Sequence, residues 1–230
     1  MMTKKARFCP NCGSATKRHR RELHKEGEEE RSEIKRAVWA MACLFVGGVA
    51  AVLLPGGDDI YVNWWQDIGM VVVSLLAVGI LGWDQLSKCF ANAPKAKDVG
   101  LGLLTGLATL AFSIFYVWLL PDLGGGDEEA AEITLALVIS VVILAPLLEE
   151  WIDRGVAWQA ASRIGGPRFT IVVTALLFAL AHGLNGWFVL EMPHRFVSGL
   201  AYGWLRLRSG SLVPCIAAHM FHNGLATWLA

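Results

Sequence analysis

The sequence predicts an all-α, polytopic transmembrane helix bundle of about seven spans, led by a short zinc-ribbon-like knuckle. Three observations predict it. Hydrophobic residues make up 55% of the 230-residue chain and charged residues only 17%, which is too apolar for an ordinary water-soluble domain. Apolar runs long enough to cross about 30 Å of hydrocarbon as helix recur along the chain. The connections between those runs alternate between basic and non-basic, as the loops on the two sides of a membrane do.

The runs fall near 37–54, 67–83, 99–120, 132–153, 169–190, 194–207 and 211–229. The 194–207 run is the weakest, being short and opened by Pro193-His194-Arg195; without it six spans remain and the carboxyl end changes sides. The leader is strongly basic, and the connection from Pro55 to Asp67 has no Lys or Arg. Lys88, Lys95 and Lys97 mark the next connection, Pro121 to Glu132 is acidic and Gly-rich, and Arg154, Arg163 and Arg168 follow. Gly186 to His194 precedes a single Arg195, the one exception, and Arg206 with Arg208 precedes the last run. This pattern puts the amino terminus in the cytoplasm and the carboxyl terminus outside. Trp39, Trp64, Trp65, Trp83, Trp118, Trp187, Trp204 and Trp228 fall near run ends, where an amphipathic ring prefers the headgroup layer.

Formal charge sums to zero, but residues 1–36 hold 11 Lys/Arg against 6 Asp/Glu and the remainder holds 9 against 14. That split excludes a uniformly basic nucleic-acid binder, so no nucleic-acid partner is expected. The five cysteines are odd in number and mostly scattered through apolar sequence, so they describe no disulfide framework. No secretory signal peptide is expected, because the first apolar run begins near Ala37 after a long polar leader. With no eukaryotic targeting leader and a compact length, a bacterial inner membrane is the expected location.

Within the leader, Phe8-Cys9-Pro10-Asn11-Cys12-Gly13 is one zinc knuckle: two thiolates two residues apart, with Pro and Gly shaping the turn that aims both at one metal. Cys9 and Cys12 are the candidate zinc ligands. No second Cys pair follows, so His19 and His24, or a second chain, would complete the set; the alternatives are a degenerate ribbon or a tail. Residues 17–36 are highly charged and expected to be a helix or linker at the cytoplasmic face, with contact to anionic lipid, a protein partner or another copy as the alternative. The chain thus divides into a leader at 1–36, amino-terminal transmembrane helices at 37–125 and a core at 126–230.

Ionisable groups inside a spanning helix cost roughly 2.5–3.5 kcal/mol each and tend to mark function. Here they cluster. The fourth run ends in Glu149-Glu150-Trp151-Ile152-Asp153-Arg154, the fifth contains His182, and the seventh contains His219-Met220-Phe221-His222-Asn223. Glu150 and Arg154 are four apart and share a helix face, so the arginine can hold that carboxylate, while Glu149 points about 100° away. His219 and Asn223 also share a face; His222 points partly aside. If Gly165-Gly166-Pro167 turns an antiparallel hairpin, Glu149 and His182 both lie roughly 24–26 Å from the turn at about 1.5 Å per residue. Small residues Gly199 and Gly203 would let the sixth helix approach a neighbour closely.

A glutamate facing a histidine, with a second histidine and an amide nearby, can activate water for amide hydrolysis: a carboxylate takes the proton and donors meet the oxyanion. A buried polar network that only specifies helix packing, or a proton or ion pathway, fits the same residues.

Glu149-Glu150-x-x-x-Arg154, Phe178-x-x-x-His182 and His219-x-x-x-Asn223, in that order on successive segments, resemble the three motifs of the CPBP intramembrane protease family, which includes the CAAX prenyl proteases and bacteriocin-processing proteins. Arg195-Phe196 through Gly199, Gly203 and Ser209-Gly210-Ser211-Leu212 to Pro214 is similar to that family's final helices. The resemblance covers about 130–228 and implies a glutamic endopeptidase acting on a membrane-embedded peptide or protein, prenylated or sorting-tagged. It implies that Glu149 activates water with His182, that Glu150 and Arg154 hold the geometry, and that His219 and Asn223 stabilise the oxyanion. No catalytic metal is favoured, since the His-Glu-x-x-His pair of a zinc protease is missing. A non-enzymatic membrane scaffold or a transporter using the same cluster is the alternative.

Overall fold

The computed structural model describes residues 17–52, 64–84, 92–120, 134–183 and 188–229, and these are helical apart from short connections, with no strand among them. Cys9 and Cys12 lie outside the described residues, as does most of the two expected outer loops at 53–63 and 121–133. The helices are α1 (Lys17–Val52), α2 (Trp64–Leu81), α3 (Ala96–Trp118), α4 (Leu135–Ile164), α5 (Pro167–Gly183), α6 (Phe188–Ser209) and α7 (Val213–Leu229). The charged segment 17–36 and the first apolar run form one helix, α1, of 36 residues. The weakest expected span is the middle of a longer one: α6 has 22 residues, with Pro193 inside it.

Among the described residues, three helices are long and apolar enough to cross a membrane, within Arg21–Ala51, Ala96–Trp118 and Leu135–Ile164, and Trp65–Leu81 and Pro167–His182 are shorter apolar helices. Large apolar side chains point outward along them, among them Phe45, Val46, Leu104, Ile114, Phe115 and Leu176. In water this surface would be a severe liability; in hydrocarbon it is the solvated face. The molecule is built as an integral membrane protein.

α4 is continuous but not uniform. Pro146 lacks the N–H that would bond the carbonyl four residues back, and its ring crowds that carbonyl. The turns before it widen into a π-helical stretch at Ile139–Leu144, and a second occupies Trp151–Ala157. Such wide turns free backbone groups for other partners.

Small residues set the helix contacts. A Cβ on Gly102 would stand 2.5 Å from the Pro214 carbonyl oxygen, and one on Gly106 would strike that of Ala218, so α3 lies directly on α7. Gly199 faces Ala175 and Gly203 faces Ile171, docking α6 on α5 through the expected small-residue pair. α1 and α2 pack together through Ala37, Ala40, Leu44, Ala77, Val78 and Leu81, and against Ile152, Val156, Ala157 and Ala160 of α4. Arg163, near the end of α4, ties these helices at one end: its guanidinium lies 3.1 Å from Glu33 of α1 and donates to the Leu81 carbonyl of α2 at 3.4 Å.

Candidate active site

α4 and α5 are joined through Gly165 and Gly166, as the expected hairpin requires, and this puts Glu149 and His182 at one level. Glu149 Oε2 is 3.7 Å from His182 Nε2 and 3.7 Å from His219 Nε2. Both separations exceed direct hydrogen-bond length, leaving the three groups close enough to act on one small molecule between them. Glu149 Oε2 has no hydrogen-bond partner within the protein.

The hydrogen bonds behind the two imidazoles fix their tautomers. His182 Nδ1 is 2.8 Å from the Phe178 carbonyl oxygen; a carbonyl only accepts, so Nδ1 carries the hydrogen. In the neutral ring the lone pair is then on Nε2, facing Glu149. His219 Nδ1 is 3.0 Å from Glu150 Oε1, which also accepts from Arg154 Nη1 at 3.0 Å. A carboxylate held by a guanidinium accepts from Nδ1–H, so the His219 Nε2 lone pair also faces Glu149. Two imidazole lone pairs and a carboxylate therefore converge on one point, an arrangement of acceptors that calls for a shared proton or a donor such as water.

Glu150 and Arg154 are fully buried. The guanidinium donates through Nη2 to the Gly199 carbonyl at 3.0 Å and lies over the rings of Phe178 at 4.8 Å and Tyr202 at 5.4 Å. Arg206 Nε donates to the Arg154 carbonyl at 3.0 Å. This casing holds a buried ion pair whose desolvation would otherwise be costly. Asp153 sits beside it, 3.8 Å from Arg154 Nη1.

Asn223 is one helical turn beyond His219, and its amide donates to the Val141 carbonyl at 2.9 Å, in the first widened stretch of α4. One N–H of the amide is thereby committed and one is left. Among the described residues no group of three His, Cys, Asp or Glu side chains is arranged as a metal site. His19 and His24 pair along α1 with Glu22 at 4.0 Å and Glu28 at 3.5 Å.

A cavity of about 170 Å³ opens beside Glu149 and His182. Its walls are mainly apolar: Leu44 and Phe45 of α1, Met70 of α2, Leu148 and Ile152 of α4 and Leu177 of α5, with Asp67 and Asp153 as further carboxylates. The site thus gathers Glu149, Glu150, Arg154, His182 and His219, with Asn223 a turn away. Neither Tyr202, nor Phe178 as a platform for Arg154, nor Thr109 of α3, whose hydroxyl lies 3.3 Å from the Tyr202 hydroxyl, stands out from sequence alone.

A buried centre of carboxylates and imidazoles drawn from several apolar helices defines a class of polytopic membrane protein with a polar cluster in its interior. The comparison with protein families agrees with the motifs: the model described as Rce1-like, type II CAAX prenyl endopeptidase Rce1-like, matches residues 131–225. That segment is similar to a protease family and contains all six candidate site residues, while α1, α2 and α3 lie outside it. Neither the curated proteins nor the solved structures returned a match.

Proposed function

We propose that this protein is an intramembrane endopeptidase that cleaves a membrane-associated protein or peptide, prenylated or sorting-tagged, by glutamate-activated water. The observation that carries the reading is the Glu149 carboxylate standing 3.7 Å from both imidazole Nε2 atoms. A water there donates one hydrogen to Glu149 and is oriented by His182. Glu149 takes the proton as the water oxygen bonds to the scissile carbonyl carbon, and the carbonyl π electrons move to oxygen. When the proton shared by the three converging acceptors rests on His219 Nε2, that N–H donates to the oxyanion while Nδ1–H stays on Glu150; the remaining N–H of Asn223 is the second donor. When the C–N bond breaks, Glu149 returns its proton to the amine, leaving one carboxylic acid and one amine, which then ionise to carboxylate and ammonium. No step in this scheme requires a metal.

The same reading places the amino terminus in the cytoplasm of a bacterial inner membrane, with all seven helices crossing and with Cys9 and Cys12 available to zinc or a partner. Comparative proteomics of membranes carrying the wild type or Glu149→Gln tests the activity. A cut that disappears, with the variant at normal abundance and a rate about 10²–10⁴-fold lower, is the expected result. If every cut persists, the cluster serves packing or transport instead.

A further inference from the structure

The Thr109 hydroxyl is 4% exposed and has three neighbours: the Gly106 carbonyl at 3.0 Å, His222 Nδ1 at 2.9 Å and the Tyr202 hydroxyl at 3.3 Å. A hydroxyl has one hydrogen and two lone pairs. Its hydrogen goes to the Gly106 carbonyl, so both lone pairs accept, from His222 Nδ1–H and from the Tyr202 O–H. Every valence of Thr109 is used. Tyr202 in turn is 1% exposed; its ring lies 5.3 Å from the His219 ring at 33° and 5.4 Å beneath the Arg154 guanidinium. The phenol is pinned at its far end while its face braces the two groups that hold Glu150.

We infer that Thr109, on a helix outside the family-matched segment, is a positioning residue for the reaction: it fixes Tyr202 and thereby the orientation of His219 and Arg154. The inference rests on the proposed peptidase reading for its catalytic consequence. α3 reaches this position because Gly102 and Gly106 allow it onto α7. An unpinned Tyr202 ring lets the imidazole swing, and displacements on the order of 1 Å cost about 10²-fold in rate.

The test uses the full-length protein in detergent or liposomes, with an internally quenched peptide spanning the cut that disappears in Glu149→Gln membranes. Thr109→Val is expected to lower kcat at least about tenfold with KM within about twofold. Tyr202→Phe, which keeps the ring and removes the donor, should match it. The double variant should be no worse than either single, and Thr109→Ser should restore the rate. A Thr109→Ser enzyme as slow as Thr109→Val, a loss confined to KM, or a double variant showing the product of the two losses overturns the inference. The coupling has a second readout independent of cleavage, so failure of the peptidase reading is distinguishable: thermal melting of Thr109→Val, His219→Ala and their combination. Strictly additive shifts in Tm overturn the positioning role; non-additive shifts support it whether or not a peptide is cut.

Discussion

Glu150 does two jobs through one oxygen: Oε1 accepts from Arg154 at 3.0 Å and from His219 Nδ1 at 3.0 Å. Replacing it by alanine strands a fully buried guanidinium and removes the acceptor that sets the His219 tautomer. Breaking a buried pair in this way typically costs about 3–5 kcal/mol, so Glu150→Ala should lower both Tm and membrane abundance. Glu149→Gln should lower neither, because Glu149 is partly exposed and makes only the longer contacts to the imidazoles. Thermal melting of the two purified variants separates these roles. Adjacent glutamates thus differ by environment: one fully buried and held by Arg154 and His219, the other partly exposed and facing the cavity.

α3 lies against the backbone of α7, and Gly106 is the critical point of that contact. A side chain there meets the Ala218 backbone, which cannot move aside as a flexible side chain would. Gly106→Val should destabilise by about 1–3 kcal/mol through overpacking and should reduce cleavage further by withdrawing Thr109, as melting and rate measured together would show. By contrast, the Glu33–Arg163 pair joins α1 to α4 with Glu33 half-exposed; Glu33→Gln should shift stability by no more than about 1 kcal/mol and leave cleavage unchanged. Much of this was legible beforehand. Gly165-Gly166-Pro167 fixes the hairpin, and equal distances from that turn bring Glu149 to His182; the four-residue spacing of Glu150 and Arg154 places both on one face. The rest depended on which helix meets which. A single Thr in an apolar helix carries no signal until α3 is known to lie on α7, and Tyr202 looks like any interfacial aromatic until it is found under Arg154. The widened turns before Pro146, which give Asn223 its Val141 partner, do not follow from apolar periodicity alone.

At the level of the whole molecule, the Glu150–Arg154 pair is buried among helices whose outer faces are apolar, while Glu149 and His182 open onto the cavity. The proposed chemistry uses only side chains and one water. Incubation with a strong chelator such as 1,10-phenanthroline should therefore leave cleavage by the purified protein unchanged; a loss that zinc restores would transfer the water-activating role to a metal held by the same histidines. The cavity over Glu149 is walled on one side by α1 and α2, including Leu44, Phe45, Asp67 and Met70, all upstream of the segment that resembles the protease family. On the proposed reading, the residues that would admit a substrate and those that would cut it lie in different stretches of the sequence. Substitutions in the first two helices would then alter which clients enter while leaving the groups around Glu149 in place.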